Sequence, residues 1–169
     1  MKNLLATIFV LCWLLGCNYK KKYNPEFSVA AEIVQANLDS LNSLQIKSYV
    51  PSETMKQHVK IELKNESEKE ESYAVMSCSY SQNFKISDSS LHFMGKNCDS
   101  NYPVRITIPS GDTKTYDFIV LKNRKDKIKE YSIGFKIIKI KPSLDLLNEY
   151  ESQLESPKLK IIWSNKLSF

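Results

Sequence analysis

Glycine and histidine are both scarce in this sequence, which has 4 glycines and 2 histidines among its 169 residues. Active sites depend on the tight turns and close backbone approaches that glycine permits, and histidine is the usual base at neutral pH. The sequence also has no glycine-rich phosphate loop, no Gly-x-Ser-x-Gly nucleophile motif and no histidine–cysteine spacing typical of zinc. We therefore expect a protein that is not an enzyme and that uses no cofactor.

The basic residues lack the arrangement that nucleic-acid binding requires. Lysine and arginine total 24 against 19 acidic residues, and the net charge of +5 is modest, so it favours solubility over a polyanionic partner. The densest basic cluster, residues 122–129, is interrupted by Asp126 and has no aromatic side chains between its charges. We expect no nucleic-acid partner.

The chain also lacks a hydrophobic run long enough to span a membrane. The apolar run from Leu4 to Leu15 is shorter than the roughly 20 residues that a spanning helix needs, and it follows a basic start at Lys2. These features are typical of a removable signal segment. The remaining composition, 42% hydrophobic and 11% aromatic, is that of one globular domain with its own core.

The signal segment ends in Leu14-Leu15-Gly16-Cys17. This ending resembles the signal peptide of bacterial lipoproteins, and the resemblance covers residues 1–17. It implies cleavage of residues 1–16, acylation of Cys17 with fatty acids such as palmitate, and attachment to membrane lipid through Cys17. Several acyl chains anchor a protein stably in a membrane, whereas a single chain binds only reversibly.

The residues after Cys17 indicate a tether and a location. Asn18 stands where the best-known lipoprotein sorting pattern has aspartate for inner-membrane retention, so the resemblance favours the outer membrane of the bacterial cell envelope. Residues 17–26 form the predicted tether. Its cluster Lys20-Lys21-Lys22 either attracts anionic headgroups or keeps a solvated tether extended.

A helix is predicted over residues 27–44, directly after the tether. Its apolar residues recur with a period near 3.6, and Pro25 and several alanines favour a helix start. The residues that carry this periodicity are Ala30, Ile33, Val34, Leu38, Leu41 and Leu44.

Short β-like runs follow over residues 45–169. Val59, Ile61 and Leu63 alternate with polar residues, and so do Tyr116, Phe118 and Val120, which predicts two half-buried strands. The polar stretch 65–71 is predicted to be a surface turn. The runs 84–86 and 91–94, divided by Ser87-Asp88-Ser89-Ser90, are predicted to form a hairpin.

The end of the chain is predicted to contain a short helix and a last strand. Ser143 is the candidate N-cap of the helix, which covers residues 143–150, and the strand covers residues 159–163. About eight short strands with almost no helix between them favour an antiparallel sandwich.

The polar turn after residue 64 and the turn Pro109-Ser110-Gly111-Asp112, which precedes an aromatic-alternating strand, resemble the immunoglobulin-like domains of small exported bacterial proteins. The resemblance covers residues 44–167. It implies a mainly β fold: an antiparallel immunoglobulin-like β-sandwich with an N-terminal helix and a short helix before the last strand. Fold alone does not assign an activity.

Two cysteines, Cys78 and Cys98, remain after Cys12 is removed with the signal and Cys17 is acylated. Exported proteins mature in an oxidising compartment, so these two are predicted to form a disulfide. Closing the loop between them would stabilise the fold by about 3 kcal/mol.

The alternative for the same segment is a site for a soft metal such as copper(I), because sulfur and imidazole ligands lie close together in sequence. The blue-copper spacing is absent, and methionines on strands usually fill the core. The candidate ligands of this alternative are Met76, Cys78, His92, Met94 and Cys98.

A polar loop with an exposed aromatic residue follows Cys98. Loops held by a rigid scaffold often carry function, so Asp99, Asn101 and Tyr102 are candidate partner contacts. The alternative is a simple turn closed by asparagine and proline.

Two hypotheses on function follow. The first is a membrane-anchored lipoprotein whose non-catalytic β-sandwich binds an envelope protein or an extracellular ligand. The second is a copper-binding envelope protein.

Overall fold

The computed structural model describes residues 25–34, 53–95, 100–140 and 145–169. The prediction of a mainly β fold is confirmed, while residues 1–16, Cys17 and most of the tether lie outside the described residues. Within them, no helix is both long and apolar enough to cross a membrane.

The elements in chain order are β1 (Phe27–Val34), β2 (Thr54–Asn65), β3 (Glu71–Met76), a 3₁₀ turn (Tyr80–Asn83), β4 (Phe84–Ile86), β5 (His92–Phe93), β6 (Pro103–Ile108), β7 (Thr113–Asn123), β8 (Glu130–Tyr131), β9 (Ile133–Lys136), α1 (Leu146–Leu154), β10 (Ile161–Trp163) and β11 (Leu167–Ser168).

The largest sheet is antiparallel, with strand order β1-β2-β7-β5. Strands β2 and β7 pair from Thr54↔Asn123 to Lys64↔Thr113. Val59, Ile61 and Leu63 are completely buried on one face of β2. In β7 the predicted alternation places Tyr116, Phe118 and Val120 in the core, and Ile119 on the opposite face is buried as well. Side chains two residues apart share a face of a strand, which is why these two runs were readable from sequence.

The other strands form the sheets β10-β9-β4, β3-β6 and β11-β8. The chain just beyond β9 connects two of them, since Ile137 N–H donates to Lys160 O at 3.1 Å and Ala74 N–H donates to Ile138 O at 2.8 Å. Ile137 and Ile138 therefore form backbone hydrogen bonds on opposite sides of this segment. Strand β10 therefore lies on one side of this segment, and β3 with β6 lies on the other.

The main core lies where the four-stranded sheet meets these other sheets. Phe84 of β4 lies 4.8 Å from Phe118 of β7 and 5.2 Å from Phe135 of β9, between ring centroids. Tyr73 of β3 contacts Phe27 of β1 at 5.7 Å, edge to face. Such offset and edge-to-face pairs stabilise the core beyond the area they bury.

The predicted helix over residues 27–44 is wrong for residues 27–34, which form strand β1. Phe27, Val29 and Ala31 are buried, whereas Ala30 and Glu32 are exposed, so the period is two rather than 3.6. In so short a segment the same apolar residues fit both periods, and antiparallel pairing with β2 decides between them. Residues 35–44 of that prediction lie outside the described residues.

The predicted hairpin of residues 84–86 and 91–94 is also wrong. Strand β4 pairs with β9, and β5 pairs with β7 in a different sheet. The intervening residues therefore cross between sheets. Polarity locates the turn correctly but does not identify the partner of each strand.

The prediction that the polar stretch 65–71 is a surface turn is wrong at both of its ends. Asn65 is completely buried and Glu71 is 6% exposed, whereas the residues between them include the exposed Glu68, Lys69 and Glu70. A buried asparagine is stable only when its amide is hydrogen-bonded, and Asn65 meets that requirement.

The short helix near the C-terminus is present but displaced. Helix α1 begins at Leu146, and its N-cap is Asp145, which accepts a hydrogen bond from Asn148 N at 3.4 Å. The predicted cap, Ser143, lies outside the described residues. The last predicted strand is shorter than expected, since β10 begins at Ile161, and β11 follows it as an additional strand.

Helix α1 packs on the outer side of β3 through a second, small core. Tyr150 is completely buried there with Ala74, Met76 and Ile138. Its hydroxyl donates to Asn83 Oδ1 at 2.6 Å, and Asn83 Nδ2 donates to Ala74 O at 2.7 Å. The helix is thereby joined to β3 through the 3₁₀ turn.

Candidate functional site

A groove of about 320 Å³ opens between strands β6 and β7. Val104 and Ile106 of β6 form one wall, Thr115 and Asp117 of β7 form the other, and Tyr80 lies against both. Among the described residues β6 pairs with β3 alone, and residues 113–118 of β7 pair with β2 alone. The groove therefore lies between two sheet edges.

The turn that links β6 to β7 explains why the groove is open. Asp112 N–H donates to Pro109 O at 3.2 Å, and Gly111 has φ of +77°, a conformation that side-chain-bearing residues rarely adopt. Because β6 and β7 belong to different sheets, this turn leads the chain from one sheet to the other instead of closing a hairpin. Val104 and Ile106 are left half-buried, facing the gap.

Tyrosine hydroxyls lie beneath the apolar walls of the groove. The hydroxyls of Tyr73 and Tyr116 are 2.6 Å apart, and Tyr80 donates to Asp117 O at 3.2 Å. Burial raises the pKa of Tyr116 to about 12, and burial together with the charge of Asp117 raises the pKa of Tyr80. These phenols stay neutral at physiological pH and act as hydrogen-bonding groups instead of bases or nucleophiles.

The loop beside the groove is hydrogen-bonded at Asn101 and at Tyr102, and both of these predicted contact residues are exposed. Asn101 Oδ1 accepts hydrogen bonds from the backbone N–H groups of Cys78 and Ser79, both at 3.2 Å. Ser77 N–H donates to Tyr102 O at 2.9 Å. The backbone of Tyr102 is thus fixed while 60% of the residue remains exposed. Asp99 lies outside the described residues.

Of the two cysteines predicted to pair, the structure describes Cys78 and not Cys98. Cys78 does not carry a free thiol. Cys98 falls within residues 96–99, outside the described residues, so its pairing with Cys78 stays a prediction.

The ligands of the copper alternative are distributed over different sheets. Met76 is buried at the end of β3, His92 is exposed on β5, and Met94 follows β5. Within the described part of the chain, histidine, cysteine and acidic residues do not form a group of three that could hold a metal ion.

His58 and Asp117 form a polar pair near the groove, on the outer face of the four-stranded sheet. His58 Nε2 lies 2.9 Å from Asp117 Oδ1, and the buried Nδ1 has no hydrogen-bond partner among the described residues. The contact connects β2 to β7.

The sequence predicts Asn101 and Tyr102 as candidate partner contacts, which stays a prediction, and it gives no indication of the groove beside them. The available signal was the alternation of Val104 and Ile106 with Arg105 and Thr107, which indicates a strand and not what faces it. The opposing wall comes from Thr115 and Asp117 of β7, which follow the turn at Pro109 and belong to another sheet.

Comparison with known proteins adds little to this geometry. No protein-family model matches the chain, and no curated protein matches it. A solved structure titled as a FixG-related protein from Vibrio parahaemolyticus aligns with 86% of this chain and 97% of its own, at 10% identity and a TM-score of 0.35.

Proposed function

We propose that this chain is a lipid-anchored, non-catalytic binding module of the bacterial cell envelope, attached to the outer membrane through acylated Cys17. Its body is an immunoglobulin-like β-sandwich that binds an envelope protein or an extracellular ligand. The observation that supports binding most directly is the groove between β6 and β7, with the exposed ring of Tyr102 beside it.

The groove suits an extended peptide segment better than a compact ligand. Its walls are two sheet edges, and extended peptides bind such edges through backbone hydrogen bonds while their side chains occupy adjacent pockets. Half-buried Val104 and Ile106 offer apolar contacts, and Tyr102 adds a rigid aromatic surface that costs little entropy to order. Lys114 supplies a charge at the groove for selecting a partner.

The proposed disulfide between Cys78 and Cys98 would support this site. Cys98 precedes the loop by a few residues, and Asn101 already binds the backbone at Cys78. A covalent bond there would hold both ends of the Tyr102 loop against β3. A preorganised loop binds more tightly because less entropy is lost on association.

The anchor is tested by replacing Cys17 with alanine. We expect the Cys17→Ala protein to leave the membrane fraction of fractionated bacterial cells, because no acyl chain can be attached. Cys12→Ala is the matched control, since Cys12 is removed with the signal segment and its variant should remain in the membrane. An unchanged membrane fraction for Cys17→Ala would contradict acylation as the means of attachment.

The groove is tested by crosslinking in intact cells. A photoreactive residue at position 102 should form an adduct with one envelope protein or extracellular ligand, whereas the same residue at exposed Glu151 of α1 should not. Thr115→Trp, which fills the groove from an exposed position, should reduce the adduct severalfold with an unchanged circular dichroism spectrum. An adduct of equal yield in that variant would show that the groove is not the site.

A further inference from the structure

Trp163 lies against β9 at a position where the sheet has no side chain. A Cβ atom placed on Gly134 would be 2.9 Å from Cε3 and 3.0 Å from Cζ3 of the Trp163 indole. It would also be 2.6 Å from Cγ2 of Ile161. The glycine therefore lets the indole lie on the outer face of the sheet, where 44% of Trp163 remains exposed.

Two lysines share this face with Trp163. Lys85 and Trp163 are the two cross-strand partners of Gly134, and Lys136 follows Gly134 by two residues on the same strand. Directly paired residues and residues two apart point to the same side of a sheet. The Trp163 surface, as we name it, consists of Lys85, Gly134, Lys136 and Trp163.

The positive charges on this surface lack counter-ions. In the parts of the chain that the structure describes, neither Lys85 nor Lys136 forms an ion pair, and Lys136 Nζ donates to the carbonyl of Gln82 at 3.1 Å. Burial lowers the pKa of Lys136, and repulsion from the charge of Lys85 on the neighbouring strand lowers it further. An anion at this surface would relieve that repulsion.

We propose that the Trp163 surface docks on anionic lipid headgroups of the membrane that carries the acyl anchor. This inference rests on the proposed function, because the anchor supplies the proximity. Tryptophan is enriched at the interface between lipid and water, where its ring is apolar and its N–H remains hydrated. Lysines beside it gain from the negative surface potential of anionic lipids.

Two lysines and one indole would bind a lipid surface only weakly on their own. The tether allows this weak contact to dock the domain stably. Residues 17–26 span at most about 35 Å when fully extended, so the domain stays close to the bilayer surface. Linking two binding events in this way makes the second one intramolecular, with an effective concentration in the millimolar range for short linkers. Docking therefore fixes how the domain is oriented.

The experiment uses the processed, acylated protein reconstituted in vesicles. The chain has two tryptophans, and removal of residues 1–16 takes Trp13 away, so the emission of the processed protein reports on Trp163 alone. In vesicles that contain phosphatidylglycerol, we expect a blue-shifted emission and severalfold stronger quenching by brominated lipid than in phosphatidylcholine vesicles.

Paired substitutions identify the lysines responsible. Lys85→Gln with Lys136→Gln should remove the difference between the two lipids. Lys127→Gln with Lys129→Gln changes the net charge equally at exposed positions elsewhere and should preserve the difference. Equal quenching in both lipids, or equal effects of the two pairs, would overturn the docking. Flotation of the vesicles reports the anchor separately: protein that does not float contradicts the lipid anchor itself.

Discussion

Replacing Asn65 with alanine is expected to lower the free energy of unfolding by about 3–5 kcal/mol, because several buried and partly buried backbone groups lose their partner together. Asn65 is completely buried. Its Nδ2 donates to the carbonyls of Lys69, Ile108 and Pro109 at 2.8, 2.9 and 3.2 Å. Its Oδ1 accepts from Ser67 N–H at 2.9 Å. Each buried group left without a partner costs about 1–3 kcal/mol.

The backbone of Asn65 adds a reason for the size of this effect. Its N–H donates to Asp112 O at 3.0 Å, and its carbonyl accepts from Gly111 N–H at 3.0 Å. The side chain and the main chain of one residue therefore hold the turn that separates β6 from β7. Loss of the amide should loosen the end of the groove as well as lower stability.

Urea denaturation followed by circular dichroism measures the change. Asn123→Ala is the matched control, because Asn123 is exposed and its Oδ1 accepts a single bond from Lys125 N–H at 3.0 Å. We expect that control to cost less than about 1 kcal/mol. A loss of similar size in both variants would contradict the role given to burial at Asn65.

The contrast between β7 and β1 shows how far sequence predicts this fold. In β7, Tyr116, Phe118 and Val120 stand at every second position of a long run, and only a strand fits that pattern. In β1 the eight residues fit a helix equally well, and the pairing of Phe27 with Asn65 across the sheet decides. Long-range pairing of that kind leaves no trace in local periodicity.

The candidate sites show the same difference between local sequence patterns and long-range strand pairing. Asn101 and Tyr102 could be proposed as contacts from sequence because a polar loop with an aromatic residue is a local pattern. The groove needs β6 beside β7, and the Trp163 surface needs Gly134 beneath the indole, and both arrangements arise only when distant strands pair. Asn65 was placed at the surface because polarity does not show which residues of a turn point inward.

Replacing Tyr150 with alanine is expected to cost about 3–5 kcal/mol and to detach helix α1 from the sheet. Tyr150 is completely buried in the small core with Ala74, Met76 and Ile138, so its removal leaves a cavity. Burial also raises its pKa to about 12, which keeps the hydroxyl protonated as the donor to Asn83. A helix of 9 residues is too short to be stable in water without such packing.

Hydrogen exchange distinguishes detachment of the helix from a uniform loss of stability. In Tyr150→Ala the amides of α1 should exchange much faster, while those of β2 and β7 should keep their rank as the slowest in the protein. Tyr150→Phe keeps the ring but leaves Asn83 Oδ1 without its donor, and should cost about 1–3 kcal/mol with the helix in place. Leu147→Ala removes a side chain that is 44% exposed and should have little effect. Unchanged exchange in α1 of Tyr150→Ala would show that contacts other than Tyr150 hold the helix on the sheet.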